Sequence, residues 1–223
     1  MKLTVVHVAG PISVQGAPRH GRMHEGVPPG GALLPSLLAS ANRAAGNRDD
    51  APAVELLGRL VVRADDGTET TLESPVWTYA VVPGGQDAPP LVTTHLRKGD
   101  VLRGPLTLVD APPSAEERVR VIAGPDADAF APDALATLCA ATYEVFVRDR
   151  TGARLRGPAL VRTGAREVTR PMVRGAIEVA RDGMPIVLGP DHPTTGGYPI
   201  LAVVADADVE RVFAGARVRF VVA

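Results

Sequence analysis

The residues best suited to chemistry stand in one run near the C-terminus, His192-Pro193-Thr194-Thr195-Gly196-Gly197-Tyr198-Pro199. Two hydroxyls lead into two glycines, a phenol and a proline. Paired glycines let the backbone reach positive φ or approach another group closely, and Pro199 biases Tyr198 toward extended backbone. Apolar strands at 184–188 and 200–204 flank the run. It therefore reads as a tight polar turn between strands that displays Thr194, Thr195 and Tyr198. An ordinary hairpin loop fits the same pattern. Arg148, Arg150, Arg154 and Arg156 alternate along a strand-like segment. They suit a clamp for a carboxylate or phosphate, and equally a solvated strand face. A third polar stretch, 10–31, holds Gln15, Arg19, His20, Arg22, His24 and Glu25. A loop of that length without its own elements is functional or mobile.

Several chemistries are excluded by what the sequence lacks. His20 and His24 lie four apart, but the glycines and prolines around them oppose a helix that would align them, and no third ligand clusters nearby. No metal is expected. There is no glycine-rich Lys-Ser/Thr phosphate loop and no nucleophile elbow. Cys139 is the single cysteine; it cannot form an intrachain disulfide and reads as a small core residue. The 24 basic and 25 acidic side chains leave a net charge of −1 with no basic block, which argues against nucleic acid. No apolar run reaches membrane-spanning length. The first seven residues read as a strand, not a signal peptide, so a cytoplasmic location is expected.

The elements that must position these residues follow from composition. Hydrophobic residues are 45% but aromatics only 4%, with 23 Gly and 21 Pro, a balance that favours short strands and many turns. Strands are expected at 3–8, 53–57, 60–62, 76–82, 118–122, 143–147 and 218–222. An Asp182-Gly183 turn should join strands 175–179 and 184–188 into a hairpin. Helices are expected at 35–45, at 132–141 with Asp133 as N-cap, and at 206–214 with Asp206 as N-cap. The Pro-rich stretch 111–117 is the linker candidate. The division expected is 1–113 and 114–223.

Longer motifs sharpen the reading. Gly175-Ala176-Ile177-Glu178-Val179, Asp182-Gly183-Met184-Pro185-Ile186-Val187-Leu188, Asp191 and Pro193 to Pro199 closely resemble the allophanate hydrolase subunit 2 family, which includes the C component of 5-oxoprolinase, the Kip antagonist proteins and part of the carboxyltransferase region of urea carboxylase. Asp149-Arg150-Thr151-Gly152-Ala153-Arg154-Leu155-Arg156-Gly157-Pro158 resembles its Asp-Arg-Met-Gly-x-Arg-Leu-x-Gly-Pro motif. Gly10-Pro11, Val14-Gln15, Arg19-His20-Gly21, Gly26 to Pro29, Gly31-Ala32, Ala41-Asn42, Gly46-Asn47 and Glu55-Leu56 follow the family pattern. So does the stretch around Tyr79 to Gly85. The departures are Gly16 for a usual Asp, Gly30 for Ser, Leu33-Leu34 for Met-Asp and Glu178 for Gln. The segment 63–77 is shortened, and the hydroxyl-rich stretch after the central double glycine is missing.

The resemblance implies a mainly β fold with a few short helices, built as two cyclophilin-like β-barrel domains, the first of them shortened. It implies a Kip inhibitor-like partner (the B component of 5-oxoprolinase), together with a protein like the A component, in an assembly that opens 5-oxoproline to glutamate with ATP. ATP is expected at the level of that complex, with no cofactor bound to this chain. Gln15, Arg19, Asn42, Arg150 and Arg154 would bind a small amide or carboxylate substrate. Thr194, Thr195 and Tyr198 would orient the amide or its developing oxyanion. Two other roles stay open: a non-catalytic regulatory or scaffold subunit holding a Kip inhibitor-like partner, and a carboxyltransferase-type domain acting on urea or a related amide.

Overall fold

The computed structural model describes residues 1–89, 91–112, 116–163 and 168–223. The chain forms two compact units, Met1–His20 with Pro29–Pro112, and Gly21–Pro28 with Pro113–Ala223. Residues 113–115 of the expected linker lie outside the described residues.

In the first unit, β1 (Lys2–Ala9), β2 (Ile12–Gln15), α1 (Pro35–Ala44), β3 (Ala53–Ala64), β4 (Glu69–Val81), β5 (Val101–Arg103) and β6 (Thr107–Asp110) follow in order. They build a sheet ordered β5-β1-β3-β4-β6, with β2 also on β3. Alternation gives this sheet one buried face. Leu3, Val5, Val54, Leu56, Leu60, Val62, Leu72 and Leu102 form its core, with Ile12 and Ala80. Two strands expected at 53–57 and 60–62 are one strand. Gly58, at φ 116°, makes a bulge, and the register with β4 shifts between Leu56 and Gly58. The stretch 10–31 is not wholly irregular either. Ile12–Gln15 pairs with Ala53–Leu56, which buries Ile12 completely and satisfies backbone groups that a loop would leave to water.

The second unit contains β7 (Glu117–Ala123), α2 (Ala134–Ala140), β8 (Thr142–Arg148), β9 (Gly152–Arg156), β10 (Arg170–Pro171), β11 (Ala176–Val179), β12 (Pro185–Leu188), β13 (Thr195–Gly196), β14 (Ile200–Val204), α3 (Val209–Ala214) and β15 (Arg217–Val222). Seven strands close a barrel in the order β11-β12-β9-β8-β15-β7-β14. Only β15 and β7 run parallel. Closure removes exposed sheet edges. Val119, Val121, Tyr143, Ala153, Leu155, Ile177, Val187, Ala202, Val218 and Phe220 are buried by the period-2 alternation, and the Tyr143 and Phe220 rings meet at 6.1 Å between centroids. Burial pushes the Tyr143 phenol up to about 12. The mainly β expectation holds, with one closed barrel and one curled half-barrel sheet.

Three local expectations change. Asp133 precedes α2 without a side-chain capping bond. Asp206 opens a short 3-10 turn, also uncapped by its side chain. The carboxylate that matters there is Asp208, which accepts from Arg120 backbone N (3.0 Å), Nε (2.7 Å) and Nη2 (3.0 Å). Finally, the run after β12 is not a simple hairpin turn. Thr195–Gly196 pairs with Arg170–Pro171, and this ribbon accompanies a second apolar cluster of Met172, Ala176, Leu188 and Ile200.

Candidate functional site

Register places the key side chains of the second unit. Glu178 on β11 faces Ile186 on β12, Ile186 faces Arg154 on β9, and Arg154 faces Val147 on β8. The neighbouring row, Ile177-Val187-Ala153, is fully buried, so the Glu178 row points away from the barrel interior. All four of its residues line a cavity of ≈ 230 Å³, together with Leu188, Pro193 and the Asp149, Thr151 and Gly152 turn. Asp149 holds that turn by accepting from the Thr151 (2.7 Å) and Gly152 (3.1 Å) amides. Opposite it, β8 carries a bulge between Val145 and Val147. The extra residue, Phe146, is exposed, and the Arg156 guanidinium lies 3.8 Å from its ring centre.

The four arginines do not share one face, because Arg148 ends β8, Arg150 lies in the turn, and Arg154 and Arg156 lie on β9. Arg148 Nη1 donates to Gly215 O at 2.5 Å. Arg150 is buried and grips Asp191 through Nε–Oδ2 (2.7 Å) and Nη2–Oδ1 (3.2 Å). Arg156 pairs with Glu144 at 3.7 Å. Among the described residues, Arg154 makes no salt bridge and no side-chain hydrogen bond, and its exposed side chain lines the cavity. Glu178 is buried, and burial raises its carboxyl above the ordinary range. Neither periodicity nor motif reading selected Glu178 as a site residue. The signal that could have found it is a charged residue at the one position of a buried β11 whose register matches Arg154.

Thr194, Thr195 and Tyr198 are not among the cavity's lining residues, although Pro193 is. Thr195 and Tyr198 are exposed, and Thr194 is half-buried with its carbonyl accepting from Met172 N at 3.0 Å. Of the two glycines, Gly196 is the constrained one. A Cβ there would stand 2.5 Å from Met172 Cε and 2.8 Å from Glu178 Oε1. Gly197 has open space around it. His192 is buried, its Nδ1 2.7 Å from Pro193 O. Burial is the main cause that lowers its pKa.

The other three candidates sit in the first unit. Gln15 and Arg19 meet at Thr93: Gln15 Nε2 donates to Thr93 Oγ1 (3.4 Å) and to Ser13 Oγ (3.0 Å), and Arg19 Nη2 donates to Thr93 Oγ1 (3.4 Å). Asn42 is elsewhere. Its Nδ2 donates to Asp49 O and Ala51 O, and its Oδ1 accepts from Asn47, so it fastens the loop after α1 to the chain. Glu55 lies beneath this region. It accepts from Tyr79 Oη at 2.6 Å and from Leu33 N at 2.8 Å, while Tyr79 Oη accepts from Leu34 N at 3.2 Å. Gly30 is occupied space: a Cβ there would overlap the Arg19 guanidinium.

Comparison with known proteins agrees with this architecture. Residues 104–222 match the family model of the carboxyltransferase domain, subdomain A and B. The chain is 29% identical to the C component of 5-oxoprolinase from Escherichia coli strain K12, over 93% of this chain and 86% of that protein. A crystal structure of TTHA0988 superposes with a TM-score of 0.80 at 25% identity, covering 99% of this chain and 55% of that one. The chain thus spans little more than half of that protein. The Kluyveromyces lactis urea carboxylase shares the fold, with a TM-score of 0.79 at 21% identity, over 99% of this chain and 27% of that one.

Proposed function

Because the chain belongs to the family of the carboxyltransferase domain, subdomain A and B, we propose that it serves as one component of a 5-oxoprolinase-type assembly. The observation that carries this reading is the likeness to the C component of 5-oxoprolinase along 93% of the chain. In the proposed assembly, 5-oxoproline is opened to glutamate with ATP, beside a Kip inhibitor-like partner in the place of the B component and a protein like the A component. The small cavity suits a substrate of that size. At ≈ 230 Å³ it is smaller than the roughly 300–1,000 Å³ pockets of drug-sized ligands, too small to hold a nucleotide as well. Arg154 offers the carboxylate contact. Thr194, Thr195 and Tyr198 follow Pro193 of the cavity wall without lining the cavity themselves.

The test is coupled turnover of ATP and 5-oxoproline by folded partner proteins with and without this chain. Turnover that rises only when the chain is added supports the reading; no rise above the partners alone removes it. A second reading, a scaffold role without catalytic work, draws on a different observation. Glu55, Tyr79, Asn42 and Arg150 are all engaged with their own chain. A chain that restores complex assembly but leaves turnover unaltered would favour it.

A further inference from the structure

Two groups of opposite formal charge line the same small cavity without touching. Arg154 and Glu178 are separated by Ile186 on the intervening strand, so their backbones lie about 10 Å apart, two strand spacings. Arg148, Arg150 and Arg156 each have a partner. Among the described residues, Arg154 and Glu178 have no hydrogen bond or ion pair from their side chains. A buried carboxyl without a partner is costly when charged. Gly196 packs directly over it and leaves no room for a side chain.

We propose that this cavity receives a small molecule carrying a carboxylate and an amide carbonyl, with Arg154 pairing with the carboxylate and the Glu178 carboxyl donating a hydrogen bond to the carbonyl oxygen. This inference rests on the functional reading above, which supplies the ligand class and the probe, 5-oxoproline; the role of Glu178 is read from the cavity. The charge balance explains why Glu178 acts in its acid form. Asp149 lines the cavity with one oxygen committed to its turn amides. A ligand carboxylate would therefore meet one cation and two anions if Glu178 were ionised. Among the described residues, the charged side chains named on the elements next to Glu178 are paired. Ile186 and Ile200 face it across the sheet, and β13 contributes Thr195 and Gly196. Arg170 on β10 is paired with Asp126 at 2.5 Å. Arg150 and Asp191, after β12, are paired with each other. Burial raises the Glu178 pKa in the same direction.

The experiment is an NMR titration of the full chain with 5-oxoproline, and with acetate as a carboxylate-only control, between pH 5 and 8. The affinity for 5-oxoproline should fall by about tenfold per pH unit once Glu178 ionises, because binding is linked to one proton. Glu178→Gln, which keeps a donor at every pH, should bind 5-oxoproline with a flat profile. Glu178→Asp, one methylene shorter, should keep the pH dependence and lose affinity. Arg154→Ala should weaken both ligands by about tenfold or more at each pH. Parallel pH profiles for the native chain and Glu178→Gln would overturn the inference. So would unaltered binding in Arg154→Ala, or shifts that map away from β9, β11 and β12. Turnover with partners but no binding here would sink the cavity assignment and leave the 5-oxoprolinase reading standing; binding with this pH signature but no gain in turnover would do the reverse.

Discussion

Replacing Gly30 with the serine seen in the resembled family should destabilise the first unit, and the amount should depend on Arg19. Gly30 sits at φ 61°, where a side chain costs roughly 1 kcal/mol of left-handed strain. Its Cβ would overlap Arg19 Nη2 and stand 2.8 Å from Cζ and 3.3 Å from Nη1. A guanidinium is the far end of a flexible side chain, so it would swing aside. Swinging breaks the Thr93 hydrogen bond and moves the buried Nε and Nη1, at a cost of about 1 kcal/mol more. Gly30→Ser should therefore lose about 2 kcal/mol. Trp77 is the single tryptophan and lies buried on β4, so its fluorescence during urea unfolding reports on this unit alone. In an Arg19→Ala background, only the backbone part should remain, about 1 kcal/mol. Equal costs in the two backgrounds, or a stabilising Gly30→Ser, would refute the steric account.

Tyr79→Phe removes a buried hydroxyl that serves both Glu55 and Leu34 N; it should cost roughly 1–3 kcal/mol by the same fluorescence measurement. Arg150→Lys keeps the charge but loses the two-pronged grip on Asp191. A loss of about 2–4 kcal/mol is expected in thermal unfolding, with faster hydrogen exchange at Asp191 N and His192 N. Asp208 is held down to about 2 by its hydrogen bonds to Arg120, below the ordinary 3.8. Its stabilisation is therefore complete above pH ~4 and fades as pH falls through about 4 toward 2. Asp208→Asn should cost about 1–2 kcal/mol at pH 7, allowing for solvent around the half-exposed arginine, and should flatten the acid limb of the stability curve.

The barrel strands were legible because burial follows alternation, and alternation is written in the residues. Residues 175–179 and 184–188 announced a hairpin through Asp182-Gly183, and β11 pairs with β12. The strand ends and caps were less legible. Asp133 and Asp206 look like caps in isolation, but a cap needs its carboxylate aimed at free amides, and the carboxylate used near α3 is Asp208, bonded to Arg120 88 positions away. The candidate residues divide in the same way. Gln15 and Arg19, expected at the site from the family likeness, are neighbours through Thr93. Arg150, expected from the same likeness, is spent on Asp191.

What the sequence determined by itself was composition-level: a β-rich chain, its turn residues, its family likeness and a short list of polar side chains. What tertiary structure decided was which of those side chains remain available. Arg154 and Glu178 are 24 positions apart in sequence, and nothing local relates them. They share a cavity because β12 lies between β11 and β9 with Ile186 opposite both. Register is set by every cross-strand pair at once, so no single stretch of residues contains it.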